Sequence, residues 1–328
     1  MNKIRWGILG CGKIANKFAA DLRLVEDALL TVVASRDKER SMAFAKVYGV
    51  PVALDSYEAL VTSDQVDVIY VATPHGFHYN HVMLCLHNGK AVLCEKALAL
   101  NSRQVAEMVK TSREKKVFLM EAFWTKFLPQ YKKVTEMISA DTIGEIRMIQ
   151  ADFGFRASEP TPQRLYDPNL GGGALLDIGI YPVFLAISLL GRPASIIATM
   201  NAFPSGVDSQ ISMTLKFDSG ALAILGSTFE TETPVEATIS GMKGYIGLRD
   251  RFHNATSNVI LALGKDKPVA VEVHRETGHG YQFEARHVTE CLQKNLIESP
   301  IMKLEDSILL METLDRIRKV CGIRYAAD

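Results

Sequence analysis

The sequence has no excess of charge of either sign, because 37 lysine and arginine residues balance 37 aspartate and glutamate residues. Binding to nucleic acid depends strongly on positive charge, so we do not expect a nucleic acid partner. The sequence also lacks an apolar run near the roughly 18 residues of a membrane span, and it leads directly into a strand without a signal peptide. We therefore expect a cytoplasmic protein with no membrane partner.

Cysteine is scarce, and its spacing argues against disulfide-rich and zinc-binding proteins. The five cysteines form no C-x-x-C pair, and their odd number does not suit a disulfide framework. His75, His78 and His81 have a helical spacing, but it wraps partly around the helix and no carboxylate ligands accompany it. We therefore expect free thiols and no bound metal. The cysteines are Cys11, Cys85, Cys94, Cys291 and Cys321.

What the sequence does contain is a change of pattern along its 328 residues, a length that suggests two domains. In the first 120 or so residues, short apolar runs alternate with helical patterns, which is typical of a parallel sheet built from βαβ units. This half, 1–122, is predicted to be a dinucleotide-binding Rossmann domain. Its predicted strands are 4–9, 29–34, 66–72, 91–94 and 117–120, and its predicted helices are 14–22, 38–48, 79–87 and 102–114.

The second half, 123–328, is rich in strands that turn signals separate, which indicates antiparallel pairing. Its predicted strands are 145–155, 195–202, 210–217, 221–230, 235–240, 245–249, 259–263 and 269–273, and its predicted helices are 130–138, 173–190, 282–294 and 304–321. The predicted fold class is α/β: a doubly wound parallel sheet of the Rossmann type, then an α+β domain with a large, mostly antiparallel open sheet. We expect the C-terminal helix to pack back on the first domain.

The motif Gly10-Cys11-Gly12-Lys13-Ile14-Ala15 follows a strand, opens a helix and has the G-x-G-x-x-A form of the dinucleotide fingerprint. Gly10 permits the tight turn, Gly12 lets the backbone approach a pyrophosphate, and Ala15 lets the helix pack closely on the strand. The helix N-terminus then faces the anion. Residues 10–14 are therefore predicted to bind a nicotinamide dinucleotide, and a purely structural turn is the alternative.

The residues that follow the second strand favour NADP over NAD. An NAD enzyme usually has an acidic residue here to bind the ribose hydroxyls, but this chain has Ser35 and Arg36. A serine hydroxyl and a guanidinium suit a 2′-phosphate, and Arg40 lies one helical turn beyond Arg36. The alternative is that both arginines are solvated and that Asp37 binds the ribose.

Two further segments follow strands at the edge where open α/β sheets bind ligands. We predict that their polar residues contact the cofactor, and helix capping is a second role for the histidines. The residues concerned are Thr73, Pro74, His75, His78, Glu95 and Lys96.

Together these motifs resemble a known family. The glycine turn, Ala72-Thr73-Pro74-x-x-x-His78, Glu95-Lys96, Gly171-Gly172-Gly173 and Asp177-x-x-x-Tyr181 resemble the glucose-fructose oxidoreductase, inositol dehydrogenase and rhizopine catabolism protein (Gfo/Idh/MocA) family. The segments 120–124, 151–154 and 177–181 are most similar to the dimeric trans-1,2-dihydrobenzene-1,2-diol dehydrogenases, also called D-xylose dehydrogenases (NADP). The resemblance implies an NADP-dependent oxidoreductase of sugars or vicinal diols. It also implies that the second domain binds the substrate and forms a homodimer through its sheet.

The resemblance and the chemistry of alcohol oxidation select Lys96, Asp177 and Tyr181 as catalytic candidates. Oxidising an alcohol requires a base for the hydroxyl proton while a hydride passes to the nicotinamide. A tyrosine has a pKa near 10, so we expect the ammonium of Lys96 to lower the pKa of Tyr181. Asp177, at i−4 from Tyr181, is expected to orient the substrate or the lysine. The alternative is a core aromatic residue and a solvated lysine.

Trp124 and Phe153 are expected to wall the substrate pocket, with a packing role as the alternative. The chain departs from the family at Ala97, where many members have proline, and it has no clear second arginine near Asn201. Two other functions compete on this fold: a keto-sugar or anhydro-sugar reductase that uses the same residues in reverse, and a non-catalytic dinucleotide-binding regulator. The presence of Lys96 with Tyr181 argues against the regulator.

Overall fold

The computed structural model describes residues 3–328. Contacts between Cα atoms divide the chain into two compact units. The first unit consists of the chain up to Phe127 together with Glu276–Ile308, and the second consists of Leu128–Arg275 together with Leu309–Asp328. The polypeptide therefore enters the second unit, returns to the first, and ends in the second.

A six-stranded parallel sheet in the order β3-β2-β1-β4-β5-β6 forms the centre of the first unit. Its strands are β1 (Ile4–Leu9), β2 (Ala28–Ala34), β3 (Val52–Leu54), β4 (Val68–Val71), β5 (Ala91–Glu95) and β6 (Leu119–Ala122). All residues of β4 are buried, as is usual for a central strand of a parallel sheet. The strand order reverses between β1 and β4, so the ligand crevice of such a sheet lies at the carboxyl ends of these strands.

The helices of the first unit are α1 (Lys13–Leu22), α2 (Lys38–Tyr48), α3 (Tyr57–Thr62), α4 (His78–His87), α5 (Ser102–Lys115) and α9 (Tyr281–Gln293). Helix α9 comes from the distant part of the chain and is held by Asp21 of α1. The Asp21 carboxylate accepts hydrogen bonds from the backbone N–H groups of His279, Gly280 and Tyr281, at 2.9 to 3.0 Å. These bonds satisfy backbone N–H groups at the N-terminus of α9 that have no partner within the helix. The buried Asp21 of α1 therefore anchors α9 in the first unit.

An eight-stranded sheet in the order β14-β13-β12-β11-β7-β10-β9-β8 dominates the second unit. Its strands are β7 (Ile146–Gly154), β8 (Ser195–Ala202), β9 (Asp208–Lys216), β10 (Leu222–Thr228), β11 (Ala237–Gly241), β12 (Gly244–Arg249), β13 (Asn258–Leu263) and β14 (Val269–Val271). Only β7 and β10 pair in parallel among these strands, and the other neighbours are antiparallel. The predicted fold class is confirmed.

The helices of the second unit are α6 (Pro129–Ser139), α7 (Gln163–Tyr166) and α8 (Ile180–Leu190), and α10 (Leu304–Cys321) begins in the first unit and ends in the second. One stretch of the described residues, Pro168–Leu190, is long and apolar enough to meet the criteria for a membrane span, so the expectation of no such run is wrong. However, 78% of its apolar window is buried inside the protein. Its apolar character follows from packing, because α8 lies against β7 and β10.

The sequence does not predict β3, α3 and α7. β3 has three half-buried residues at the edge of the sheet, α3 has six residues and α7 has four. Elements this short do not show a hydrophobic period. The other predicted strands and helices correspond to observed ones, with ends that differ because they depend on local capping.

Candidate active site

The turn between β1 and α1 leaves room for a pyrophosphate. Gly10 has a φ of +99°, and a Cβ there would meet Thr73 Cγ2 at 3.0 Å. At Gly12 a Cβ would meet only the Ala72 carbonyl oxygen, at 3.9 Å, so a ligand can approach this backbone. Gly12 is also the N-cap of α1 and has no side chain to cap it. The first N–H groups of α1 are therefore suited to bind an anion.

The other residues of the turn support it in different ways. The Cys11 thiol is buried and donates a hydrogen bond to the Ala34 carbonyl oxygen at 3.7 Å. Burial raises the pKa of this thiol to about 11, so it stays neutral at pH 7 and only the backbone of Cys11 is suited to a phosphate. Lys13 is exposed and Ile14 is half-buried, whereas Ala15, on the buried face of α1, is completely buried.

The end of β2 shows that Asp37 has a structural role. Its carboxylate accepts a hydrogen bond from the backbone N–H of Arg40 at 3.1 Å and thereby caps α2. The buried Ser35 hydroxyl accepts a hydrogen bond from the backbone N–H of Asp37 at 3.3 Å. Arg36 is exposed, and its guanidinium lies 5.5 Å from the centre of the Phe77 ring. The Arg36 guanidinium is thus accessible to a nucleotide, while one oxygen of the Asp37 carboxylate caps α2.

An aromatic cluster of Tyr57, Phe77 and His81, which the sequence did not indicate, lies beside Arg36. The His81 ring lies 4.9 Å from the Tyr57 ring and 5.9 Å from the Phe77 ring, between centroids. Burial lowers the pKa of His81 to about 4, and His81 Nδ1 lies 2.9 Å from the Thr73 hydroxyl. Tyr57 is on α3, which the sequence did not predict, so no local pattern indicated the cluster.

His78 joins the loops that follow β4 and β5. Its Nδ1 atom lies 2.8 Å from the carbonyl oxygen of Ala97, and its Nε2 atom lies 2.7 Å from that of Thr73. Burial lowers the pKa of His78 to about 4. Pro74 and His75 occupy the same loop, and the His75 ring lies edge-on to the His78 ring. Within residues 3–328, no group of three or more His, Cys, Asp or Glu side chains is arranged to hold a metal ion.

Lys96 follows β5 directly, next to Glu95 in the sequence and within the electrostatic reach of Glu121. Glu95 is buried and accepts a hydrogen bond from the Tyr70 hydroxyl. Glu121, at the end of β6, accepts a hydrogen bond from the backbone N–H of Leu98 at 3.0 Å. Burial raises the pKa of Glu121 to about 7, although the charge of Lys96 lowers it. Glu121 therefore supports the loop after Lys96, a role that the sequence did not assign to it.

In the second unit, Asp177 lies in a π-helical turn, Leu175–Gly179, that runs into α8. The sequence is predicted to form a continuous helix here, and the wider turn is not part of that prediction. Asp177 Oδ2 accepts a hydrogen bond from Arg164 Nη1 at 2.8 Å, and the Asp177 side chain is 16% exposed. An exposed fraction of this size leaves part of the carboxylate accessible while the guanidinium pairs with it. Arg164, on α7, is a partner that the sequence did not indicate.

Tyr181 lies on the first turn of α8 and packs among aromatic rings. Its ring centroid is 5.7 Å from that of Phe153 on β7 and 4.8 Å from that of His253. The rings of His253 and Phe153 are stacked at 4.2 Å. His253 is buried in the loop after β12, and no motif in the sequence pointed to it. The structure thus places Phe153 and Tyr181 together, and the pocket role of Phe153 stays a prediction.

Trp124 belongs to the first unit and follows β6 in a short 3₁₀ helix. Its ring is stacked on that of Tyr281 of α9, with centroids 4.6 Å apart and planes 4° apart. One face of Trp124 therefore packs against protein. The predicted cofactor residues and Lys96 all lie in the first unit, whereas Asp177, Tyr181 and Phe153 lie in the second.

Comparison with known proteins defines the class. A model of an oxidoreductase family with an NAD-binding Rossmann fold matches residues 4–123, and a model of the GFO/IDH/MocA C-terminal domain matches residues 131–247. The protein is an NAD(P)-dependent oxidoreductase that acts on CH–OH groups. The chain belongs to the GFO/IDH/MocA family, which confirms the resemblance in the sequence.

Individual relatives match almost the whole chain. The trans-1,2-dihydrobenzene-1,2-diol dehydrogenase of Xenopus tropicalis is 38% identical over 330 residues, which cover 98% of this chain and 99% of that one. The enzyme of the same name from Homo sapiens is 35% identical over 332 residues, which cover 99% of both chains. Among solved structures, a 3-ketoreductase from Actinomadura kijaniata in complex with NADP and TDP-benzene is 27% identical, with a TM-score of 0.87 and 98% coverage of both chains.

Proposed function

We propose that this enzyme oxidises a hydroxyl-bearing carbon of a vicinal diol or a sugar, with NADP as its cofactor. The observation that carries the proposal is the cluster in the second unit, where the Tyr181 phenol packs against Phe153 and His253, and Asp177 lies in the preceding turn. Aromatic ring faces suit the apolar carbons of a cyclic diol, and polar groups at the same place suit its oxygens. The names of the relatives that match the whole chain support the same substrate class.

In the proposed mechanism, Tyr181 accepts the proton of the substrate hydroxyl, and the carbon that bears this hydroxyl loses a hydride. When bound, NADP supplies the acceptor for that hydride. The ammonium of Lys96 stabilises the tyrosinate and holds the substrate oxygen, and Asp177 orients the substrate or the lysine. Variants of the related 3-ketoreductase with a lysine or a tyrosine replaced have been solved, and these positions are separated by nearly the same chain length as Lys96 and Tyr181.

The proposal of NADP rests on the groups at the end of β2. One oxygen of the Asp37 carboxylate caps α2, and the exposed Arg36 guanidinium suits a 2′-phosphate together with Ser35 and Arg40. The glycine turn, residues 10–14, would hold the pyrophosphate, because the space above Gly12 is open. Residues at and just beyond the ends of β4 and β5 would hold the nicotinamide side: Thr73, Pro74, His75, His78, Glu95 and Lys96.

Reduction of a keto-sugar is a second candidate for the same site. The solved relative that supports it is a 3-ketoreductase with bound NADP. In this direction Tyr181 would donate a proton to the carbonyl oxygen, which is the reverse of the proposed oxidation step. The two candidates share every residue and differ in the substrate and in the redox state of the cofactor.

We also propose a homodimer in the cytoplasm, formed through the open sheet. Ile197 and Ile224 are 73% and 43% exposed, and each lies directly opposite Thr214 in the register of β8, β9 and β10. These three residues therefore form one row on one face, where exposed apolar side chains favour association. Replacing Ile224 with aspartate should give a monomer by sedimentation, and an unchanged dimer would place the interface elsewhere.

The proposed function is tested by following NADP reduction with a panel of cyclic trans-diols, aldoses and inositols, and NADPH oxidation with keto-sugars. The highest kcat/KM with a cyclic diol or an aldose supports the proposal, and the highest value with a keto-sugar supports the reductase. Intact NADP binding without turnover of any compound in either direction would contradict both.

A further inference from the structure

The helix that carries Asp177 and Tyr181 starts with the π-helical turn, whose hydrogen bonds join residues i and i+5. Such a turn contains one more residue than an α-helical turn. Pro182 has no N–H group and cannot donate the α-helical bond to the carbonyl of Ile178, which favours the wider turn. The extra residue in the turn gives Asp177 a different direction relative to Tyr181 from the one it would have in a regular α-helix. A group that holds the turn in place therefore also determines the directions of these two side chains.

Asp208, the first residue of β9, holds the beginning of this turn. Its Oδ2 atom accepts a hydrogen bond from the backbone N–H of Leu175 at 2.6 Å. The side chain is completely buried, and no described residue forms a hydrogen bond with its Oδ1 atom. Burial raises the pKa of Asp208 to about 6. A buried carboxyl group with one unsatisfied oxygen destabilises a protein, so stability alone does not account for an acid at this position.

Two glycines let the sheet approach the turn closely. A Cβ on Gly173 would lie 2.5 Å from Asp208 Oδ1, and a Cβ on Gly179 would lie 2.6 Å from the hydroxyl oxygen of Ser227. Ser227 is buried on β10, and its hydroxyl has no hydrogen bond partner within residues 3–328. The turn is therefore packed against β9 near its start and against β10 near its end.

We propose that Asp208 is a positioning residue, which fixes the π-helical turn and thereby directs Asp177 and Tyr181 toward the substrate. The inference rests on the proposed function, because it requires Asp177 and Tyr181 to act on the substrate. Asp208 acts through the N–H of Leu175, and a carboxylate is a stronger acceptor for this group than a neutral oxygen. Its position at the N-terminal end of the helix adds a favourable interaction with the helix dipole.

This role separates two measurable properties. A displacement of about 1 Å at a catalytic group can lower a rate by about 100-fold. The cofactor residues lie in the first unit, whereas Asp208 and the turn lie in the second. A change at Asp208 should therefore lower kcat and leave the Kd for NADP unchanged.

The experiment compares the wild type with Asp208→Ala, Asp208→Asn and the control Asp218→Asn, which changes an exposed aspartate in the turn after β9. The measurements are kcat and KM with the best alcohol of the panel, the Kd for NADP, and hydrogen exchange of the peptide that contains Leu175. We expect Asp208→Ala to lower kcat by about 10- to 100-fold and to increase exchange at Leu175. Asp208→Asn should recover kcat to within about fivefold, because its amide oxygen accepts the same hydrogen bond. Asp218→Asn should match the wild type.

Several results would overturn the inference. A wild-type kcat in Asp208→Ala, with faster exchange at Leu175, would show that the turn does not direct the catalytic groups. A loss in Asp208→Asn as large as that in Asp208→Ala would contradict the role of the hydrogen bond. If Asp208→Ala does not fold, Asp208→Ser replaces it, because its hydroxyl is too short to reach Leu175. If the wild type turns over no alcohol, the proposed function itself is overturned. If the wild type is active and Asp208→Ala has the same kcat, only the inference about Asp208 is overturned.

Discussion

The two units of this protein build their candidate sites in different ways. In the first unit, the candidate cofactor site consists largely of backbone, at Gly10 and Gly12 and at the ends of parallel strands. In the second unit, the candidate acid–base site consists of side chains that pack on one another, among them Tyr181, Phe153 and His253. A backbone site depends on the local conformation of a few residues, whereas a side-chain site depends on partners from distant parts of the chain. Substitutions in the two units should therefore have different consequences.

The largest expected effect separates chemistry in the second unit from cofactor binding in the first. Tyr181→Phe should lower kcat/KM by about 10²- to 10⁴-fold, the usual contribution of a general base. Because the cofactor residues are in the other unit, the Kd for NADP should stay within about twofold, a difference of under 1 kcal/mol. Steady-state kinetics and fluorescence titration measure the two quantities, and Tyr79→Phe on α4 is the control. Full activity of Tyr181→Phe would place the base elsewhere.

A second prediction compares one glycine from each unit. Gly173 has a φ of +114° and a Cβ there would contact Asp208, whereas Gly49, at the end of α2, has a left-handed φ of +65° with nothing within 4 Å of a Cβ. A side chain at positive φ costs about 1–2 kcal/mol at either position, and overpacking adds about 1–3 kcal/mol at Gly173 alone. Gly173→Ala should therefore lower the free energy of unfolding by about 2–5 kcal/mol and Gly49→Ala by about 1–2 kcal/mol. Urea denaturation measures both, and equal losses would show that the contact with Asp208 is unimportant.

The same contrast explains how much of the protein can be predicted from its sequence. The glycine turn, the strand before it and the start of the helix after it follow from residues that are adjacent in sequence, from β1 to Ala15. The ion pair of Arg164 with Asp177, by contrast, depends on how α7 folds back onto the turn, and the contact of His253 with Tyr181 depends on the loop after β12. The π-helical turn likewise depends on packing against β9 and β10, which a helical pattern does not contain.

A third prediction concerns the part of the first unit where side chains, rather than backbone, select the ligand. If the Arg36 guanidinium binds the 2′-phosphate, Arg36→Ala removes a charge-assisted hydrogen bond worth about 1.5–3 kcal/mol. The Kd for NADP should then rise by about 10- to 100-fold, and that for NAD should change by less than about threefold. Fluorescence titration with both cofactors measures this, with Arg23→Ala at the end of α1 as the control. Equal losses for NADP and NAD would contradict the 2′-phosphate role.

The smallest expected effect concerns the charge of Asp208. The turn in the second unit is held by this buried carboxyl group, whereas the glycine turn of the first unit needs no such group. The pKa of Asp208 is raised to about 6 in the folded protein, compared with about 3.9 for an aspartate in an unfolded chain. The folded state thus binds this proton more tightly. The contribution of Asp208 to stability is therefore full below about pH 4 and is lost as the pH rises through about 6.

Asp208→Asn keeps the acceptor for Leu175 and removes the ionisation. The free energy of unfolding of this variant, relative to the wild type, should therefore increase by about 1–3 kcal/mol between about pH 4 and pH 7, at about 1.4 kcal/mol for each tenfold change in proton affinity. Urea denaturation across this range measures it. The exposed Asp218→Asn should show no such trend. A difference for Asp208→Asn that does not vary with pH would mean that folding leaves the pKa of Asp208 near its unfolded value of about 3.9. The π-helical turn of the second unit would then be held by a charged carboxylate at neutral pH.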